Sequence, residues 1–167
     1  VGGTILKIGI RSTSSGTTSI LTRSTVVASQ NGRKRCSTGG QPGWNQKWRT
    51  PLREAFSHLN SSIWHSYSDS ICKLFGSEDQ GFGQKLLTEY AQVVTGEKTA
   101  DQFLISHKLE PSEHTLAAKM LCGMKNLLYS FTSCGWFFND ISGIEPRQNI
   151  NYAMYAIKLF WNQISPD

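Results

Sequence analysis

Apolar residues recur every three or four positions over residues 52–74 of this 167-residue chain. An α-helix has 3.6 residues per turn, so side chains at this spacing all lie on one face. The pattern predicts one long amphipathic helix whose apolar face must pack against other helices. Thr50 is predicted to cap its start, with Pro51 at the first helical position. The apolar face comprises Leu52, Phe56, Leu59, Ile63, Tyr67, Ile71 and Leu74.

Four further segments with helical spacing follow the first one. The second is predicted to start at Ser77, with Glu78 and Asp79 in its first turn, and to stop at Gly96. A short segment capped by Thr99 forms the third, and Ser112 caps a longer fourth. The last helix is predicted to open at Pro146. Its apolar face would comprise Ile150, Ala153, Met154, Ile157, Phe160 and Trp161. Short connections between such segments are typical of a bundle, so the sequence predicts an all-α fold of about five helices.

The first 35 residues differ in composition from the rest of the chain. They contain twelve Ser or Thr residues, and they contain neither an acidic nor an aromatic residue. Such a segment cannot bury enough apolar surface to fold alone, so poor order is expected for residues 1–35. Such a composition is also what an out-of-frame translation could produce, so a frameshift is our hypothesis for the origin of residues 1–35. Residues 36–167 are predicted to form the helical domain.

Charge is distributed unevenly along the chain. Residues 1–53 carry nine Lys or Arg and no acid, whereas residues 54–167 carry eight Lys or Arg and twelve acids. A basic arm can bind the phosphate groups of nucleic acid. Nucleic-acid binding by residues 1–35 is therefore a hypothesis for function, weaker than the two that follow below. The helical body is mildly acidic, so a nucleic-acid partner is not favoured for it.

Cysteine and histidine residues lack the spacing of a metal site. The four cysteines are widely separated and the four histidines are scattered along the chain. We therefore expect neither a metal ion nor another cofactor, and no nucleophile and base stand at catalytic spacing. No apolar run is long enough to cross a membrane, and reduced thiols fit a cytoplasmic protein.

Two irregular segments carry the side chains that are best suited to ligand binding. Residues 37–48 are rich in glycine and lead into the first helix, and residues 133–145 contain three consecutive aromatic residues. Tryptophan rings stack on sugars or bases, and amide, guanidinium and carboxylate groups supply hydrogen bonds. The candidate substrate-binding residues are Trp44, Asn45, Trp48, Arg49, Trp136, Asp140 and Glu145. Core packing is the alternative for Trp44 and Trp48, and a helix N-terminus also accounts for Glu145.

Two long motifs together resemble a known family. They are CSTGGQPGWNQKWRTPLREA at residues 36–55 and TSCGWFFNDISGIEPRQNINYA at residues 132–153. From residue 36 to about residue 161, the chain is similar to uncharacterised helical domains. These domains lie at the C-terminal end of proteins related to glycoside hydrolase family 57, the α-amylase and α-mannosidase-like enzymes.

The resemblance implies that a catalytic barrel precedes the helical domain in the parent protein. That barrel would hold the glutamate nucleophile and the aspartate acid/base, so this chain alone is expected to be inactive. The helical domain would pack against the barrel and line a cleft for an α-glucan or another oligosaccharide. Within SCGW, residues 133–136, Trp136 matches the family tryptophan that faces substrate, whereas Gly135 replaces an aspartate.

A non-enzymatic helical module that docks a protein partner is the alternative function. The two hypotheses differ in what they require of Trp44 and Trp136. A shared glycan cleft requires both rings to be open on one face, near Asp140. Burial in separate parts of the core would make both residues packing residues.

Overall fold

The computed structural model describes residues 46–137 and 140–164, except for the side chains of residues 162–164. Six α-helices and two short 3-10 helices occur in this part of the chain. The α-helices are α1 (Arg49–Leu74), α2 (Phe82–Glu89), α3 (Ala91–Val94), α4 (Ala100–Ser106), α5 (His114–Tyr129) and α6 (Ile144–Ile164). The 3-10 helices are η1 (Pro111–Glu113), which precedes α5, and η2 (Ser133–Trp136), which connects α5 to α6.

The predicted all-α bundle is confirmed, and no strand occurs within the described residues. The predicted start of the second helix at Ser77 is wrong, because α2 begins at Phe82, and Tyr90 divides the predicted helix into α2 and α3. The prediction of poor order for residues 1–35 lies outside the described part of the chain. Among the described helices, none combines the length and the apolar character that crossing a membrane requires.

The helix starts predicted from the sequence agree with the structure only in part. The Thr99 side chain accepts a hydrogen bond from the backbone N–H of Gln102, and the Gln102 side chain accepts one from the backbone N–H of Thr99. This reciprocal capping box confirms the predicted start of α4. The predicted cap at Thr50 is wrong, because α1 already begins at Arg49.

The main core lies between α1, α5 and the C-terminal half of α6, with α2 and α4 packed around it. Ile63, Tyr67 and Ile71 are fully buried, which confirms the centre of the apolar face predicted for the first helix. The Tyr67 hydroxyl donates a hydrogen bond to the carbonyl oxygen of Gly83 at 3.0 Å, so its polar end is satisfied. Burial raises the pKa of Tyr67 well above its ordinary value, so this side chain stays neutral.

Among the described helices, α5 and α6 make the most extensive contact with each other. A Cβ atom placed on Gly123 would lie 2.4 Å from Cε2 of Phe160, whose ring is fully buried. A larger residue at position 123 would therefore force the two helices apart. Gly123 sets how closely they approach.

A smaller second core lies near the start of α1 and the start of α6. Its buried residues are Phe56, Phe131, Trp136 and Ala153. Phe56 meets Phe131 and Trp136 edge to face, with ring centroids 5.8 Å and 6.0 Å apart. Such pairs add to the stabilisation from burial, so this core ties η2 to α1.

Two residues predicted on the apolar face of the last helix are exposed instead. Met154 is 58% exposed and Trp161 is 59% exposed. The buried residues of α6 include Ala153, Ala156 and Phe160, which follow one another at spacings of three and four. Positions 154 and 161 lie one residue beyond buried positions, so they turn to the outer side. We name the exposed residues Met154, Tyr155, Lys158 and Trp161 the α6 stripe.

Candidate functional site

Three of the predicted site residues meet at the N-terminal end of α1. The rings of Trp48 and Trp136 stack with centroids 6.0 Å apart and planes 17° from parallel. The guanidinium carbon of Arg49 lies 5.8 Å from the centroid of the Trp48 ring. The fold thus joins the two predicted segments at these residues, whereas Trp44 and Asn45 lie outside the described part of the chain.

Trp136 is fully enclosed in this arrangement, with 0% of its surface exposed. Trp48 stacks on it, Phe56 contacts it edge to face, and the guanidinium carbon of Arg53 lies 5.7 Å from its ring centroid. A sugar stacks only on a ring face that solvent reaches, so Trp136 is a core residue here. The predicted sugar contact would require a conformation that uncovers this ring. Arg49, at 5% exposure, is almost as enclosed.

Gly135 and Asn149 hold η2 against α6. The Asn149 side chain accepts a hydrogen bond from the Thr132 hydroxyl at 2.8 Å and donates one to the Thr132 carbonyl oxygen at 3.0 Å. A Cβ atom on Gly135 would lie 2.3 Å from Nδ2 of Asn149, so glycine is required for this close approach. The position of Trp136, the next residue, follows from this contact.

We expect Asn149→Ala to lower the free energy of unfolding by about 1–3 kcal/mol, because both hydrogen bonds to Thr132 are lost and a buried side chain is truncated. Urea denaturation followed by circular dichroism measures this difference. Asn151→Ala is the matched control, since Asn151 is exposed on the same helix, and it should change stability by less than about 0.5 kcal/mol. Equal losses for the two variants would contradict the role of Asn149.

Asp140 and Glu145 both have local structural roles. The backbone N–H of Ser142 donates a hydrogen bond to Oδ1 of Asp140 at 3.1 Å, and the Ser142 hydroxyl donates to Oδ2. The hydroxyl bond, followed by the backbone bond, lowers the pKa of Asp140 below its ordinary value. Glu145 lies in the first turn of α6, where the helix dipole favours a carboxylate. These contacts account for both acids without a ligand.

An open cleft of about 400 Å³ lies along the outer side of α1. We name it the Trp64 cleft. One wall comes from α1 and consists of Trp64, His65, Ser68, Asp69 and Cys72. The other wall is the loop before α2, which contributes Ser77, Glu78 and Gln80. Trp64 is partly buried, packs against the main core, and has its ring centroid 5.7 Å from that of Tyr67. The cleft therefore has a firmly supported aromatic wall.

The loop that forms the second wall is held by Asp79. Its Oδ1 accepts a hydrogen bond from the backbone N–H of Gly81 at 2.8 Å, and its Oδ2 lies 2.6 Å from Nζ of Lys85. The hydrogen bond from Lys85, followed by that from Gly81, lowers the pKa of Asp79. Within the described part of the chain, no hydrogen bond engages the side chains of Glu78 and Gln80, which are exposed on either side of Asp79. They are available to a ligand.

The chemistry of the Trp64 cleft suits binding rather than covalent catalysis. Nε2 of His65 lies 3.7 Å from Oδ2 of Asp69, and both side chains are exposed. Cys72 follows His65 by seven residues, a rise of about 10 Å along a helix, whereas a nucleophile and its base must lie within hydrogen-bond reach. The described residues contain no group of three side chains that could hold a metal ion.

The Trp64 cleft was not predicted from the sequence. One signal was present: Trp64 stands beside the apolar row of α1, with polar residues one, four and five positions later. At helical spacing these positions share one flank of the helix. The second wall had no such signal, because residues 77–80 approach α1 only after the chain turns back at the end of this helix.

Comparisons with known proteins identify one relationship. The family model described as Domain of unknown function (DUF3536) matches residues 44–165 of this chain. No curated protein and no solved structure matches the chain.

Proposed function

The chain belongs to the DUF3536 family, and we propose that its helical domain is the non-catalytic glycan-binding part of a larger glycoside hydrolase. The domain binds a sugar chain in the Trp64 cleft. The parent protein is cytoplasmic and related to glycoside hydrolase family 57. Its upstream barrel performs the hydrolysis. The proposal keeps the function that the resemblance implies but assigns the sugar contact to Trp64 rather than to Trp136.

The observation that carries this proposal is the combination of side chains in the Trp64 cleft. A pyranose ring has an apolar face formed by its C–H groups and a rim of hydroxyl groups that donate and accept hydrogen bonds. The partly exposed ring of Trp64 suits the apolar face. The hydroxyl groups of the rim find serine, glutamine and carboxylate side chains in the two walls. The volume of about 400 Å³ lies within the range of small-molecule sites.

Maltoheptaose titrated into the ¹⁵N-labelled chain is expected to shift the indole N–H resonance of Trp64 and the amide resonances of residues 77–80. Trp64→Ala should weaken binding by about tenfold, because it removes the stacking surface. Trp161→Ala is the matched control, since Trp161 is an exposed tryptophan outside the cleft, and its affinity should equal that of the wild type.

Trp64 is partly buried, so the folded state of its variant must be checked by circular dichroism. Gln80→Ala provides a second test, because Gln80 is exposed and its removal leaves the core intact. We expect it to weaken maltoheptaose binding by roughly threefold to tenfold. The absence of any shift with maltoheptaose, cellohexaose and xylohexaose would refute glycan binding by the cleft.

The assignment to a glycoside hydrolase parent has its own test. The coding sequence upstream of Val1 should contain a barrel with a catalytic carboxylate pair, and the isolated chain should release no reducing ends from soluble starch. Hydrolysis by the chain alone would contradict the non-catalytic role. An upstream sequence without a barrel would contradict the proposed parent.

The α6 stripe supports a second candidate function, docking to another protein domain. Met154, Tyr155 and Trp161 lie exposed on one side of α6, together with the positive charge of Lys158. Exposed apolar side chains grouped in this way are characteristic of interfaces. The occupant we propose is the upstream barrel of the parent protein. Trp161→Ser should weaken association with that barrel and leave the Trp64 cleft unaffected.

A further inference from the structure

We infer that the Trp64 cleft selects uncharged sugar chains and rejects acidic ones, with Asp69 and Glu78 as the residues that determine this specificity. The inference rests on the proposed glycan-binding function and concerns the same cleft. It starts from the charges of the lining residues. The two carboxylates lie on opposite walls, Asp69 on α1 and Glu78 on the loop before α2, and among the residues that the structure describes neither Lys nor Arg lines the cleft.

A uronate, sulfate or phosphate group in this cleft would face carboxylates on both sides. Binding an anion requires donors or positive charges, and Lys and Arg side chains usually supply them. The nearest basic group that the loop engages is Lys85, whose ammonium pairs with Asp79. That ion pair neutralises Asp79. Asp69 has the exposed imidazole of His65 at 3.7 Å, which leaves its carboxylate open to solvent, and Glu78 is exposed, so both carboxylates face the ligand. Repulsion between like charges a few ångströms apart then disfavours an acidic sugar.

A purely cationic ligand fits the cleft less well than an uncharged sugar does. A cation needs only acceptors and an aromatic face. The cleft also offers groups that can donate, namely the hydroxyls of Ser68 and Ser77 and the amide of Gln80. Each sugar hydroxyl both donates and accepts, so it uses both kinds of group. Asp69 and Glu78 accept from these hydroxyls while they repel anions.

The specificity is tested with four oligosaccharides of similar length and the full chain, in low-salt buffer. Maltoheptaose and cellohexaose are uncharged, an oligogalacturonate is anionic, and a chitosan oligomer is cationic. We expect at least one uncharged oligosaccharide to bind in the cleft. The oligogalacturonate should bind at least about fivefold more weakly, which corresponds to repulsion by exposed carboxylates in high dielectric. About 0.5 M NaCl should reduce this difference, because salt screens exposed charges.

The double variant Asp69→Asn, Glu78→Gln tests the two residues directly. Both side chains are exposed, so the variant should fold like the wild type. We expect it to bind oligogalacturonate as well as it binds the uncharged sugar, with the same resonances shifted. Discrimination that persists in this variant would overturn the roles of Asp69 and Glu78.

The outcomes separate this inference from the proposed function. If no oligosaccharide binds, the proposed function fails and the inference fails with it. If the wild type binds oligogalacturonate and the uncharged sugars equally at low salt, the inference fails while glycan binding stands. If the chitosan oligomer alone shifts the resonances of the cleft, the ligand is a cation and the assignment to uncharged sugars is overturned.

Discussion

Replacing Trp136 with alanine is expected to lower the free energy of unfolding by about 3–5 kcal/mol. The ring is 0% exposed and joins Trp48, Phe56 and Arg53 at the start of α1. Its removal leaves a cavity that the surrounding rings cannot fill without moving α1 relative to η2. A loss of this size is a large fraction of the stability of a typical domain. Urea denaturation followed by circular dichroism measures it, and Trp136→Phe should recover part of the stability.

Trp161→Ala is the control for this prediction, because it removes the same side chain from an exposed site. We expect a change of less than about 0.5 kcal/mol. The comparison also separates the two roles considered for Trp136. A sugar-stacking Trp136 would lose affinity for maltoheptaose on substitution and would keep its stability. A stability loss below about 1 kcal/mol for Trp136→Ala would contradict the enclosed arrangement.

Gly123→Ala is the second substitution with a large expected effect. The new Cβ would lie 2.4 Å from Cε2 and 2.8 Å from Cδ2 of Phe160, a ring that is fully buried. Overpacking of this kind costs about 1–3 kcal/mol, and the better helix propensity of alanine offsets up to about 1 kcal/mol of it. We therefore expect a net loss of about 1–2 kcal/mol, measured by urea denaturation.

The same substitution in a Phe160→Leu background provides the decisive control. Leucine lacks Cε2, the atom nearest to the new Cβ, and its Cδ methyl groups can rotate away, so most of the steric cost should disappear while the gain in helix propensity remains. Gly123→Ala should then be neutral or stabilising by up to about 1 kcal/mol relative to Phe160→Leu alone. An unchanged penalty in that background would show that the close contact with Phe160 is not its cause.

Packing on one side of a helix was predictable from the sequence. The apolar row of α1 predicted its buried residues Ile63, Tyr67 and Ile71, because periodicity depends only on the geometry of a helix. The same rule was wrong for Met154 and Trp161, which lie at the border of the apolar arc of α6. Residues at such a border are buried only when a neighbouring helix covers them, and periodicity carries no information about neighbours.

The candidate site depended still more on tertiary structure. Trp48 and Trp136 were both singled out in the sequence, but their stacking on each other follows from the second core and not from their spacing. An aromatic residue in an irregular segment is equally compatible with a binding site and with a packed corner. Burial distinguishes the two, and burial is a property of what surrounds the ring.

The sequence by itself determined the all-α class, the approximate places of the main helices and the N-cap of α4 at Thr99. These features arise from interactions between residues a few positions apart. Only the tertiary structure decided that Trp136 is enclosed and that Trp64 forms one wall of an open cleft. Enclosure and concavity are produced by segments that are distant in the chain. Their contacts depend on how α1, η2 and the loop before α2 pack, which no local pattern specifies.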